Sequence, residues 1–277
     1  MPLLLHDSRR IGYSKVGAGS PVIFVHGSFA ASAAWRKISA NLDCESHCAL
    51  AVDLPGSGES EAVPFDPSRL MTIEAQTVEA VAAREASTPV HLVAHSHGAV
   101  IALAIALRGR MAIRALTFFD PVPVGVLANT AHSEVLTEMT EFVAEYRRAY
   151  EDGDQCAARR VVDRLGGDGA FDAMPERARE AVKAGTAQNI CHWQTNLAFR
   201  PTSEQFGTLR VPTTIVQGEK SRPIDRLIGQ RLSELLPNSR LIELTGAGHF
   251  MVNTHSVECA RIIGPTDRRS GPAEAGR

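Results

Sequence analysis

His91-Leu92-Val93-Ala94-His95-Ser96-His97-Gly98-Ala99 is an apolar strand that runs into a serine flanked by compact positions and continues as an apolar helix. A tight turn at such a junction lifts the serine hydroxyl above the end of a sheet. It does so only where the residues two before and two after are small, and Ala94 and Gly98 meet that condition. Ser96 is therefore read as a nucleophile, against the plainer alternative of a buried serine capping the helix.

Outward from this stretch, short apolar runs recur at Val22-Ile23-Phe24-Val25, Ala49–Val52, Ala115–Phe119, Thr214-Ile215-Val216 and Arg240–Leu244. Most are continuously apolar rather than alternating, as in parallel strands covered on both faces. Helical patterns near 32–41, 70–86, 98–109, 225–236 and 255–263 separate them, which predicts an α/β fold with a mostly parallel twisted sheet and helices on both faces. Leu3–His6 and Arg10–Lys15, joined by a polar turn, read as an antiparallel hairpin on one edge. Between Pro121 and Thr208 no strand is expected and helices are predicted over 129–151, 154–165 and 175–189, an inserted helical segment. The first of these aligns Val135, Leu136, Met139, Phe142, Val143 and Tyr146 on one stripe, read as docking on the main domain with substrate lining as the alternative, and Glu134, Glu138, Glu141 and Glu145 on the other side. The domain reading is a core over 1–124 and 206–277, ending in a loose tail from Gly264, with the inserted segment over 125–205.

With 277 residues, 29 Lys and Arg against 31 Asp and Glu, and 44% hydrophobic residues, the composition is that of an ordinary globular chain. A formal charge of -2 supplies no basic field for nucleic acid or an anionic membrane. The longest apolar stretch, Ala99–Leu107, is far shorter than the ~20 residues of a spanning helix. The leader lacks the pattern of a secretory signal, so a cytoplasmic address is expected, and with it five reduced cysteines. Cys44 and Cys48 are spaced like half of a metal site, but no second pair follows at finger-like spacing. The expected partner is a small-molecule substrate, with no nucleic acid, no membrane, no metal and no cofactor.

Acyl chemistry at a serine needs a base and donors for the developing oxyanion. Among ten histidines, His249 lies in Gly246-Ala247-Gly248-His249, a loop after the last strand where two glycines let the chain fold back over the sheet edge; His255 is a distant second. The backbone N–H of His97 is one expected donor, and that of Ser28, or failing that Phe29, in the turn after Val22–Val25 is the other. Phe29, Trp193, Phe142 and Tyr146 form the candidate apolar wall, and His26 and His95 complete the expected substrate lining. His95 has a second reading, as a hydrogen-bonded core histidine.

Taken together, His26-Gly27, Asp53-Leu54-Pro55-Gly56-Ser57-Gly58-Glu59-Ser60, Ala94-His95-Ser96-His97-Gly98 and Gly246–His249 resemble the motifs of the α/β-hydrolase superfamily, from about Leu3 to Ile263, with the insert at the position of an inserted helical cap. Ala94 stands where that pattern usually has glycine. The resemblance implies a Ser-His-acid serine hydrolase acting through an acyl-enzyme on an ester, lactone or related acyl substrate without a cofactor, and it makes 53–60 a structural loop, not a phosphate cradle. In most relatives the acid follows the seventh strand, where this chain has Ser221. A serine cannot stabilise an imidazolium, whereas Asp120, after the sixth strand, can. Asp225 and Glu219 are fallback acids. The His-Ser-His-Gly elbow with an acid at Asp120 also resembles the cofactor-free dioxygenases of 3-hydroxy-4-oxoquinolines, for which His192 and Trp193 would hold an aromatic substrate. A third reading is a non-catalytic ligand-binding protein on the same fold.

Overall fold

The computed structural model describes residues 2–64, 66–128 and 130–264. It opens with the hairpin β1 (Leu3–His6) and β2 (Arg9–Val16), followed by β3 (Ser20–Val25), the short α1 (Arg36–Ala40) and β4 (His47–Val52). Helix α2 (Pro67–Glu85) starts where Asp66 accepts a hydrogen bond from the Ser68 N–H and Pro67 takes the first position, where its missing donor costs nothing. After it come β5 (Val90–His95), α3 (His97–Arg108) and β6 (Ile113–Phe119). Gly109 closes α3 in the left-handed conformation that glycine adopts freely.

The eight strands form one sheet in the order β1-β2-β4-β3-β5-β6-β7-β8, with β7 at Thr213–Gly218 and β8 at Ser239–Leu244. The β1–β2 and β2–β4 pairs are antiparallel and the other pairs are parallel. Alternation explains the continuous hydrophobicity of the central strands. Ile23 and Val25 of β3 enter the larger core under α2 and α3, while Val22 and Phe24 face the opposite side, against Trp35 and Ile38. Both faces are covered, as the sequence predicts.

Four helices lie between β6 and β7: α4 (Ser133–Glu151), α5 (Arg159–Gly166), α6 (Glu176–Ala184) and α7 (Thr186–Ala198). A fifth, α8 (Ser203–Gly207), carries a capping box between Thr202 and Gln205. Their bounds differ from expectation where side chains compete with the helix. Thr130 bonds the Leu127 carbonyl and the His132 N–H, which delays α4, and the Asp154 carboxylate takes the Cys156 N–H ahead of α5. The helix expected over 175–189 is two helices parted at Gly185, the second reaching Ala198. Glu134, Glu138, Glu141 and Glu145 of α4 are exposed, as predicted. After β7 the chain forms α9 (Pro223–Leu235), β8, α10 (Met251–Thr254) and α11 (Ser256–Ile263). Beyond Gly264 the expected loose tail lies outside the described residues. Among those described, no helix is long and apolar enough to cross a membrane.

Candidate active site

The turn between β5 and α3 holds Ser96 at φ 54°, a conformation that a non-glycine residue adopts only when its surroundings enforce it. Gly98 is what brings helix and strand together. A Cβ there would lie 2.4 Å from the Val25 carbonyl oxygen and 2.6 Å from that of His26, both rigid backbone. Gly27 matters in the same way, since an added Cβ would meet the Ser96 Cβ at 2.9 Å. The end of β3 is thus pressed against the serine.

Three side chains far apart in sequence converge here. His249, in the loop between β8 and α10, donates its Nδ1–H to Asp120 Oδ2 at 2.8 Å. Its Nε2 accepts the Ser96 hydroxyl at 3.1 Å. One neutral tautomer satisfies both bonds. Asp120 follows β6, its backbone at φ 43° and its side chain fully buried. Burial disfavours its charge, but the hydrogen bond and charge of His249 outweigh that and hold the carboxyl below its usual range. For His249, burial acts to lower the pKa, while the bond to Asp120 and the charges of Asp120 and Asp225 raise it above the ordinary imidazole value.

Asp225, in the first turn of α9, is the second carboxylate here: one oxygen each of Asp120 and Asp225 and a ring nitrogen of His249 lie within 4.8 Å of one another. Burial, with repulsion from Asp120, pushes the Asp225 carboxyl up to about 6. Glu219 is exposed and accepts from the Gly246 N–H, so it braces the His249 loop. Ser221, three residues past the end of β7, accepts from the Gly218 N–H.

The serine faces a cavity of about 490 Å³. Phe29, Trp193, His95, His97 and Ser28 line it, together with apolar residues such as Val161 and Leu165 that the sequence did not single out. Three expected lining residues lie elsewhere. His26 donates Nδ1–H to the Gly27 carbonyl and accepts the Leu54 N–H at Nε2, so it fastens β3 to the 53–60 loop. Tyr146 is fully buried in the core, and Phe142 lies beneath the Arg164 guanidinium, outside the cavity. The reason is that the α4 stripe docks on its neighbours. The 53–60 loop is itself structural: Asp53 accepts from the N–H groups of Ser32 and Glu59, and the Ser60 hydroxyl donates to the Asp53 carbonyl.

The histidines flanking Ser96 are both buried. His95 donates Nε2–H to the His249 carbonyl at 2.8 Å, which fixes the loop carrying His249, and burial together with His249 lowers its pKa to about 3. His97 bonds Asn196 Oδ1 through Nδ1 and Glu74 Oε2 through Nε2. The other oxygen of Glu74 receives His192 Nε2 at 3.0 Å. Sequence reasoning missed Glu74. Its signal was present: it occupies a position on the buried stripe of α2, beside Leu70, Thr77 and Val78, where a carboxylate needs partners. The donor atoms of Glu74, His97 and His192 are close enough to surround a cation, but they already satisfy one another through hydrogen bonds.

A model of the alpha/beta hydrolase family matches residues 22–262. The chain belongs to the α/β-hydrolase family. A haloalkane dehalogenase of Agrobacterium fabrum is 36% identical over 108 residues, 38% of this chain and 34% of that protein. None of the matched curated relatives is spanned over more than 39% of its own length. Among solved structures, an α/β-hydrolase enzyme from a Medee basin deep-sea metagenome library superposes with a TM-score of 0.77 at 14% identity, over 95% of both chains. The esterase EaEST of Exiguobacterium antarcticum does so at 0.72 and 19% identity, over 94% of this α/β hydrolase and 97% of its own chain. These likenesses establish the fold.

Proposed function

We propose that this α/β hydrolase is a serine hydrolase that cleaves a small ester, lactone or related acyl substrate through Ser96, His249 and Asp120. The observation that carries the reading is the unbroken hydrogen-bonded chain from the Ser96 hydroxyl through His249 to Asp120 at the mouth of the cavity. As Ser96 attacks the carbonyl, His249 Nε2 takes its proton, and the resulting imidazolium is stabilised by the Asp120 carboxylate. The oxyanion is held by the backbone N–H groups of His97 and Ser28. His97 opens α3, so its N–H lacks an intrahelical partner. His249 then protonates the leaving oxygen. Water, deprotonated by His249, attacks the acyl-enzyme and releases the acid and free Ser96. In this scheme residues 125–205 act as the cap over a core of 1–124 and 206–277, and the apolar cavity walls accept the acyl group. No step calls for a cofactor.

The raised His249 pKa supports a base that is active only after it loses its proton, so activity rises as the pH climbs above the ordinary imidazole value near 6.5. A fluorophosphonate probe labels the wild type, and Ser96→Ala abolishes both labelling and ester hydrolysis. A screen of esters, lactones, amides and hydroxyquinolones, with oxygen uptake recorded, separates this chemistry from its rivals. Oxygen consumption with a hydroxyquinolone that survives Ser96→Ala would replace it with dioxygenase chemistry. Tight ligand binding without turnover would replace it with a binding role.

A further inference from the structure

A second serine-imidazole-carboxylate chain reaches the same cavity. The Ser28 hydroxyl lies 2.7 Å from His192 Nδ1, and His192 Nε2 lies 3.0 Å from Glu74 Oε1. Glu74 has no exposed surface, and the groups paired with it are two imidazoles, His192 and His97, stacked with ring centroids 3.9 Å apart. Burial opposes its charge, yet the two rings hold its carboxyl well below the usual range, so it is ionised and can only accept. His192 Nε2 must therefore carry a proton. Burial and the neighbouring His97 lower the His192 pKa to about 4, so the ring is neutral near pH 7 and its Nδ1 is bare. That nitrogen takes the Ser28 proton.

The consequence concerns the hydroxyl oxygen. With its one proton committed to His192, Ser28 Oγ has lone pairs left for the cavity that Ser28 lines, and it sits one residue from Gly27, where an added Cβ would meet the Ser96 side chain. Asn189, three residues before His192 on α7, also lines the cavity, although its own Oδ1 is shut away from it. Ser28 Oγ is therefore an acceptor at this end of a chamber walled mainly by apolar groups.

Resting on the hydrolase reading above, we propose that Ser28 Oγ is a specificity-determining acceptor for a hydrogen-bond donor, a hydroxyl or amide N–H, carried on the carbon next to the scissile carbonyl. His192 and Glu74 are its positioning residues. The favoured substrates are then 2-hydroxy- or 2-acylamino-acyl compounds with an apolar chain, in preference to plain fatty acyl esters.

The test uses ethyl 2-hydroxyhexanoate and ethyl hexanoate with the Ser96→Ala protein, so that binding is read by calorimetry without turnover. The hydroxy ester is expected to bind about tenfold more tightly, the scale of one net hydrogen bond between neutral groups. Adding Ser28→Ala erases the difference. Adding Glu74→Gln shrinks the ratio, whereas a purely structural role for Glu74 would weaken both esters alike and leave the ratio unchanged. Equal affinities for the two esters, or a preference that survives Ser28→Ala, overturn the inference. A binding preference that disappears with Ser28→Ala, in a wild type that hydrolyses neither ester, upholds the recognition site and overturns the hydrolase reading instead.

Discussion

Replacing Asp120 by Asn removes one negative charge while keeping the shape of the side chain, and its cost follows from the geometry. Asp120 Oδ2 lies 2.8 Å from His249 Nδ1. At an effective dielectric of about 20, attraction between unit charges at that distance is about 6 kcal/mol. An imidazolium formed in the transition state and deprived of this partner would thus slow turnover by about four decades, the scale seen when a Ser-His-Asp protease loses the same charge. Asp225 moderates the loss. It lies within 4.8 Å, and once Asp120 is neutral the repulsion that helped raise its pKa is gone, so it ionises more readily. The expected result for Asp120→Asn is a fall of about a hundredfold to ten-thousandfold in kcat/KM for a p-nitrophenyl ester, with a further fall of about tenfold in the Asp120→Asn/Asp225→Asn double variant. Asp225→Asn alone should be mild. Retention of more than a tenth of the activity by Asp120→Asn, or a larger loss from Asp225→Asn, would refute the assignment of the acid.

Asp225→Asn should stabilise the fold at alkaline pH. The folded-state pKa of Asp225 is raised to about 6, so its favourable contribution is complete below the unfolded value near 3.8 and is lost as the pH rises through about 6. Above that range the buried charge costs about 3 kcal/mol, and the variant should melt several degrees higher than wild type near pH 8, with the gap closing near pH 4. The same variant loses a charge that raises the His249 pKa, so the acid limb of its pH–rate profile should move to lower pH. Gly98→Ala forces a methyl onto two backbone carbonyls, and a loss of about 1–3 kcal/mol should lower the urea midpoint with an unchanged slope. Trp193→Ala should shift preference toward bulkier acyl groups, while Phe142→Ala, outside the cavity, should leave kcat/KM within about twofold of wild type in the same ester series.

The parts of this architecture legible in the sequence are those set by local sterics. Strand-to-helix turns need small residues at fixed offsets, so Ala94, Gly98 and the Gly246–His249 loop announce themselves, and continuous apolar runs announce strands covered on both sides. What escaped depends on how helices dock. Phe142 and Tyr146 share a stripe, but nothing in the stripe says whether it meets a cavity or another helix. His26 looks like part of a site because of its neighbours, yet both ring nitrogens are spent on backbone groups. Trp193 was legible as a wall residue, whereas the bond between neighbouring His192 and Glu74, 118 positions apart, was not.

The proposed placement of the acid at Asp120 shows how sequence pattern and chemistry can part company. Strands β6 and β7 are parallel neighbours, and the Asp120 N–H bonds the Val216 carbonyl at 2.7 Å, so the ends of the two strands lie side by side at the same edge of the sheet. A carboxylate leaving either strand can reach the same imidazole nitrogen, provided the backbone aims it correctly. Here the aim is supplied by the positive φ of Asp120, a conformation disfavoured for a side-chain-bearing residue and compatible with a functional constraint. With that place filled, Ser221 can serve as a turn residue bonded to Gly218, and Asp225 can sit nearby, partly protonated near pH 6. Moving the acid back to the seventh strand, by Asp120→Asn combined with Ser221→Asp, should recover part of the lost activity. If it recovers none, proximity at the sheet edge is not sufficient and the backbone at Asp120 carries the orientation.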